Sequence, residues 1–502
     1  MQKENTIMTM NRRSFLAGGL AGTAAALSGA THATPILAPK KWDETHDVVI
    51  VGAGAAGLTA ACEAVDRKLS AVVFEKMPIM GGSSVLCGGM IAVSDTDEQK
   101  AQNIKDSHDL FVKDLIVSGG GYADEKVVRA YVSAIREHYE WLTKKLGLKP
   151  DAIVLQGGQS VARSHHFSPS KILMAMADYA KKGGADIRTK CAVERLIWSS
   201  DMKKIEGVRV KTGEKTITVR AKKGVLLAAG GFSSNPTLLG RHNPPLKNAA
   251  VIAGKGTQGD GILMGLSVGA DFLDTAYIKA SYGFKLNPVS IDEMGQIYWS
   301  GGIIVNKNCK RFVDESISYK KLGDAALAQP EGKSWMVFDH AMLERDYKVN
   351  PQGRELWKPI LEEKKIPDYL SSGATIEEAA KNAGLDPKAL AETVKRYNGF
   401  VDQGRDADCG RMYMASGNGK LVRIEKGPFY VMPATAAMIG TYCGLRIDED
   451  ARVIDVWGDA IPGLWAAGEV TGGFHGAGYI SGTAFAKGQA FGHLAVKSMA
   501  KA

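Results

Sequence analysis

Apolar, β-branched residues crowd together early in the chain. Asp47-Val48-Val49-Ile50-Val51 has the composition of a strand buried on both faces of a parallel sheet. A glycine-rich turn follows, Gly52-Ala53-Gly54-Ala55-Ala56-Gly57, then an alanine-rich helical stretch through Val65. A second apolar run covers 70–74 and closes on Glu75. Helical periodicity predicts a mainly helical region over 95–182, with amphipathic stretches at 127–146 and 170–182. Strands resume near Ile187 and between Glu194 and Val219, and a buried strand at 225–229 ends in Gly230-Gly231. Gly259-Asp260-Gly261 precedes another amphipathic helix. From about 275 to 440 short strands (303–305, 335–338) mix with helices (376–383, 387–403), and a late apolar strand at 464–470 completes the pattern. No internal repeat is present.

Strand, G-x-G-x-x-G, helix, strand and a terminal acid 23 residues after Gly52 form a dinucleotide-binding unit. Gly52 permits the turn, Gly54 lets a pyrophosphate approach the backbone, and Gly57 lets helix and strand pack closely. The helix N-terminus attracts phosphate charge. Glu75, followed by Lys76, would accept ribose hydroxyls. Two glycine pairs, Gly81-Gly82 and Gly88-Gly89, flank Ser83 and Ser84 and allow approach to a flat ring system, which favours FAD over NAD. Val193, Ala229, Gly230, Asp260, Gly468, Glu469, Gly482, Thr483 and Ala484 complete the expected cofactor contacts.

The 502 residues suffice for two domains, and a hydrophobic content of 45% with 23% charged residues is ordinary for a globular protein. The net charge of +9 is spread without a basic run, which argues against nucleic-acid binding. Asn11-Arg12-Arg13-Ser14-Phe15-Leu16, an apolar run over 17–27 and small residues at Ala30 and Ala33 read as a twin-arginine export signal. The mature protein is therefore expected in the periplasm, soluble, after passage through the Tat machinery. Six dispersed cysteines contain no C-x-x-C or C-x-x-C-H, so neither an attached c-type haem nor an iron–sulfur or zinc site is expected.

Near the carboxy end the chain reads Gly472-Gly473-Phe474-His475-Gly476-Ala477-Gly478-Tyr479-Ile480-Ser481-Gly482-Thr483-Ala484. This resembles the closing motif G-G-x-H-G-A-N-R-x-G-G-N-A of the fumarate reductase and 3-ketosteroid dehydrogenase flavoproteins, with Tyr479 in place of an arginine. The resemblance covers about residues 45–495. It implies an α/β fold: a Rossmann-like FAD-binding domain (34–275 and 440–502) with an inserted α+β capping domain (276–439), after a signal at 1–33. No histidine stands in the early glycine segment where relatives attach flavin covalently, so the FAD is expected to be non-covalent. Arg163-Ser164-His165-His166 is similar to a loop bordering the flavin in these relatives, and His475 belongs to their flavin motif. Both are read as positional.

Arg311-Phe312-Val313-Asp314-Glu315-Ser316-Ile317-Ser318-Tyr319 keeps the start of the fumarate reductase motif R-F-x-N-E-x-x-x-R but ends in tyrosine. Tyr298-Trp299-Ser300-Gly301-Gly302 lacks that family's relay arginine, and Ile439-Gly440-Thr441-Tyr442-Cys443-Gly444 replaces H-H-T-M-G-G. An arginine fork suits a dicarboxylate, and a tyrosine hydroxyl suits a neutral carbonyl. Tyr479-Ile480-Ser481-Gly482 matches a Y-x-S-G segment of the Δ4-dehydrogenases of 3-ketosteroids, and five residues separate the early glycine pairs here as there. The cap tyrosine stands about one residue further from R-F-x-x-E. The resemblance thus implies an enzyme acting on a small-molecule carbonyl substrate, with Tyr479 on the carbonyl and Tyr319 with Ser481 moving the proton. Tyr298, Tyr442 and Arg311 are pocket candidates. A separate cytochrome c or quinol-linked carrier would exchange electrons. Two alternatives stand beside this one: a reductase of an unsaturated carboxylate using Lys279, Lys285 or Arg311, and a flavin electron-transfer subunit.

Overall fold

The computed structural model describes residues 35–350, 353–414 and 419–502. The Arg12-Arg13 segment and the expected cleavage sites at Ala30 and Ala33 lie outside the described residues. The long apolar runs lie side by side in a nine-stranded sheet. Its parallel part has the order Asp186–Arg188, Ala71–Phe74, Glu44–Val51, Lys215–Leu227, Ala460–Ala466. Val48, Val49 and Ile50 are fully buried there, which is why this strand carries no polar alternation. Lys215–Leu227 has two roles. Its first half pairs antiparallel with Ile205–Thr212, its second half joins the parallel set, and a register shift between Ala221 and Gly224 separates them.

Helix Ala55–Asp66 connects Glu44–Val51 to Ala71–Phe74 and packs against Pro169–Lys182 and the last helix, Thr483–Lys501. Gly57 fixes how closely it sits on the strand: a Cβ there would meet the Gly52 carbonyl oxygen at 1.9 Å. Residues 50–54, 74–76, 227–230 and 466–469 thus follow the same ends of four parallel strands, the edge at which doubly wound sheets bind ligands.

A second, six-stranded sheet is centred on Phe429–Met438, which pairs with Ala250–Val251, Ser281–Lys285, Ser334–Asp339 and Ser371–Gly373; Ile303–Asn306 extends it. The chain passes between the sheets through a two-stranded ribbon, Phe272–Leu273 against Gly444–Leu445. The expected α/β class with an α+β layer is therefore the observed one. Two local expectations need correction. Residues 464–470 do not form one strand: Gly468 at φ +86° turns the chain into a helical turn, Gly468–Val470. The region 95–182 also holds the strands Ala152–Val154 and Ser164–His166, too short for periodicity to show. All six cysteines are free, and among the described residues no helix is long and apolar enough to cross a membrane.

Candidate active site

Helix Ala55–Asp66 begins at Gly54 with no side-chain cap from that residue and no acid in its first turn, so no charge of its own sequence offsets its positive end. A Cβ on Gly54 would meet Ser84 Oγ at 3.5 Å and the Gly81 carbonyl oxygen at 3.9 Å, both ordinary contacts, which leaves room for a phosphate group. The segment of the early glycines folds over this point. The Gly81 N–H donates to the Ala53 carbonyl (2.9 Å), and the Ala55 N–H donates to Ser84 Oγ (3.1 Å). Ser83 Oγ accepts from the Gly254 N–H (3.0 Å) and lies 3.0 Å from Thr257 Oγ1.

Glu75 is buried, its carboxylate accepting from the N–H groups of Ala53 (3.0 Å) and Met77 (2.8 Å). Lys76 pairs with Asp260, and Val193 lies buried on Cys191–Trp198, the strand that starts beside Glu75. Ala229 and Gly230 follow Lys215–Leu227, and Gly468 approaches Ala56 from Ala460–Ala466. Glu469 accepts from the Thr441 N–H at 2.8 Å. Thr483 and Ala484 open the last helix after Gly482. Gly89 packs on the Phe167 carbonyl, while Gly88 borders open space. An uncapped helix start, an open approach at Gly54 and an acid at the second strand's end fit the pyrophosphate and ribose of FAD.

The reaction-centre candidates meet on the other side of this loop. Residues 472–482 lie flat on the end of helix His108–Ser118, where the Ala477 N–H donates to the Gly119 carbonyl at 3.0 Å. Gly478 is required there, because a Cβ would meet the Ser118 carbonyl oxygen at 2.0 Å. The loop so placed presents Tyr479, whose ring lies 4.9 Å from Tyr442 and 5.4 Å from His475. From the layer of the second sheet, helix Tyr319–Leu327 brings Tyr319 toward Ser481. Tyr442 holds φ +57°, a conformation that costs a side-chain-bearing residue of order 1–3 kcal/mol and that clusters at functional sites. Tyr319, Tyr442, Tyr479 and Ser481 therefore share one small, half-buried space between cap and nucleotide sheet.

Burial raises all three tyrosine hydroxyls above the ordinary phenol value, so they are proton donors at neutral pH. At Tyr479 the backbone N–H groups of Ala484 and Gly482 oppose the rise, and at Tyr319 Ser481 does. His475 is buried, which drives its pKa well down, and its Nε2 lies 3.1 Å from Thr483 Oγ1. It is neutral and braces the loop.

The other candidates are placed elsewhere or engaged otherwise. Tyr298 is fully buried in the cap, its hydroxyl donating to the Tyr282 carbonyl at 3.4 Å, so it packs the cap core instead of lining a pocket. Arg311 is buried between two carboxylates, with Nη2 at 2.6 Å from Glu315 and 2.7 Å from Asp406. The cap needs this guanidinium to neutralise two buried acids, which removes it as a substrate ligand. Arg311→Met is expected to destabilise the protein by about 3–5 kcal/mol, because Asp406 loses its counterion and Glu315 keeps only Arg411, at 3.6 Å, without changing which acceptors reoxidise the flavin. Chemical denaturation beside an acceptor profile checks this. Lys279 pairs with Asp324 and Lys285 with Glu293, each at 2.8 Å. Arg163 is buried with Asp106 and Asp114, and His165 lies 2.8 Å from Thr96 Oγ1, so that cluster is structural.

One residue escaped the sequence reading. Lys320, next to Tyr319, turns its ammonium onto the face of Tyr442, 4.6 Å from the ring centroid. No spacing rule marks a lysine in the first turn of a cap helix, and only the approach of the two sheets puts it here.

The sequence matches the FAD binding domain family over residues 47–484. The chain belongs to that family. It is 30% identical to a fumarate reductase (cytochrome) of Shewanella frigidimarina over 469 residues, 91% of this chain and 77% of the relative. Its fold superposes on the open conformation of a flavocytochrome c3 fumarate reductase with a TM-score of 0.78 at 27% identity, covering 100% of this chain and 82% of the other. It is also similar to a 3-ketosteroid-Δ4-(5α)-dehydrogenase of Rhodococcus jostii in complex with 4-androstene-3,17-dione: TM-score 0.74, 26% identity, 93% and 100% covered. The protein is accordingly a flavoprotein oxidoreductase with FAD as its cofactor.

Proposed function

We propose that this flavoprotein acts on CH–CH groups, interconverting an α,β-unsaturated carbonyl compound, 3-ketosteroid-like or a smaller enone, and its saturated form. The observation that carries this reading is the convergence of Tyr479, Tyr442, Tyr319 and Ser481 where the arginine-bearing motifs of the resemblance would meet. Non-covalent FAD, held by residues 52–57, Glu75, 81–89, Glu469 and 482–484, would supply the hydride exchange at the β-carbon. The Tyr479 hydroxyl donates to the substrate carbonyl oxygen, where negative charge develops. The Tyr319 hydroxyl holds the proton that goes to, or comes from, the α-carbon, and Ser481 relays it. Positioned acid–base help of this kind is worth about 10²–10⁴-fold.

Residues 276–439 are assigned the capping role. The Arg12-Arg13 pattern supports Tat export and a periplasmic site of action. The lack of C-x-x-C-H supports a separate cytochrome c or quinol-linked carrier as electron partner. The carboxylate-reductase alternative loses its three named cations, since Lys279, Lys285 and Arg311 all face carboxylates of the protein itself.

The test is reduction of a conjugated ketone by the reduced holoenzyme in D₂O. The expected product is the saturated ketone with one deuterium on the α-carbon, from solvent, and one on the β-carbon, because the hydrogen on N5 of a reduced flavin exchanges with D₂O. Return of the unreacted enone overturns the proposal.

A further inference from the structure

Lys320 is a cation set among phenols. Its ammonium lies over Tyr442, it donates to the Lys279 carbonyl (3.2 Å), and the Tyr319 ring centroid is 5.9 Å away. Among the described residues it forms no ion pair with a carboxylate. The nearest acid on its own helix, Asp324, is taken by Lys279 at 2.8 Å. Of the other cations around the centre among the described residues, Lys285 and Arg311 face acids, and Lys487, also without a carboxylate partner, is buried beneath Phe474 and donates to the Thr471 carbonyl at 2.9 Å. A charge drawn out of water without a counterion is costly, and proteins keep one where an anion is to arrive.

We propose that Lys320 is the anion-binding residue of this site, taking a carboxylate that the substrate carries in addition to its conjugated carbonyl. This rests on the function proposed above and narrows it. The tyrosines address a neutral carbonyl and the lysine addresses a charge at a second point, so the preferred substrate is an oxo acid and not a neutral ketone. A single ammonium gives one anion subsite, which a monocarboxylate fills and a dicarboxylate does not satisfy.

The groups facing this ammonium are Asp324 on its own helix, Lys279 and its carbonyl on the preceding cap segment, Tyr319 beside it, and Tyr442, Glu469 and His475 from the nucleotide side. Burial, the largest influence, lowers its pKa to about 7; Asp324 and Glu469 oppose the shift, and Lys279 adds to it. The charged form binds the anion, so affinity is greatest at low pH and weakens by about tenfold per pH unit above that pKa.

The experiment uses the oxidised holoenzyme and two probes, 6-oxoheptanoate and its methyl ester, with binding read from perturbation of the visible flavin spectrum. The acid is expected to bind at least tenfold more tightly than the ester, and its affinity falls from pH 7 to pH 9 while that of the ester stays flat. Lys320→Met abolishes both the preference and the pH dependence, and Lys320→Arg keeps the preference while flattening the pH profile. Equal binding of the two probes by the unaltered enzyme, or a preference that survives in Lys320→Met, overturns the assignment. Flavin content confirms that each variant is folded. Turnover with 6-oxohept-4-enoate and its methyl ester is measured separately. If neither reoxidises the reduced flavin, the enone reading fails, whatever the binding preference shows about Lys320.

Discussion

Tyr479→Phe is expected to lower turnover of a conjugated ketone by about 10²–10³-fold, the usual effect of removing one donor from a developing oxyanion. FAD content and melting temperature should stay close to those of the unaltered protein. The substitution deletes one oxygen and leaves the ring, which packs on Tyr442 and His475 at 4.9 and 5.4 Å. Gly482 and Ala484, whose backbone N–H groups oppose the rise of the Tyr479 pKa, sit at the start of the last helix, which the substitution leaves in place. The loss should therefore fall on kcat, because the hydroxyl does most where charge develops in the transition state. Stopped-flow reoxidation of the reduced flavin over a range of ketone concentrations separates the two parameters. A loss confined to KM would reduce Tyr479 to a binding contact.

Gly57→Ala should act at the other end of the site and abolish flavin retention. The added Cβ would sit 1.9 Å from the Gly52 carbonyl oxygen, 3.0 Å from its carbon and 3.2 Å from Ile50 Cγ2. Two of these atoms are backbone, so no rotamer relieves the overlap and helix Ala55–Asp66 must move away from its strand. Overpacking of this kind costs about 1–3 kcal/mol or more. The same shift carries the helix N-terminus away from the pyrophosphate. The protein should purify colourless, with a lowered melting temperature that added FAD does not restore. Gly54→Ala is the contrasting control. Its Cβ meets Ser84 Oγ at 3.5 Å and the Gly81 carbonyl oxygen at 3.9 Å, ordinary contacts, so the apoprotein should melt normally while FAD binds weakly. Equal FAD content in the two variants would mean that the fingerprint glycines do not act as assigned.

The nucleotide half was legible because each of its signals is local. A buried parallel strand shows as Val48-Val49-Ile50, and a close helix–strand contact shows as a glycine at position 57. The cap was legible as elements: 303–305, 335–338 and 387–403 appear as Ile303–Asn306, Ser334–Asp339 and Pro387–Gln403. What each cap side chain faces was not legible, because facing depends on how two sheets close on one another. Arg311 looked like a pocket cation until Glu315 and Asp406, the second of them 95 residues away, were found on either side. Tyr298 and Tyr319 are both tyrosines of the cap, yet only Tyr319 turns toward Ser481. Lys320 carried no signal, since its environment is made by Tyr442 from the far side of the insertion.

The most direct test of the tyrosine-for-arginine account is anaerobic reoxidation of the dithionite-reduced flavin by a conjugated ketone and, in parallel, by fumarate, each followed at the visible flavin band. The account predicts rapid reoxidation by the ketone and slow reoxidation by fumarate. A dicarboxylate would find, among the described residues, Lys320 as the cation beside the tyrosines, where it needs clamps at both ends. Rapid reoxidation by fumarate with the ketone inert would contradict the account and return the tyrosines to a packing role.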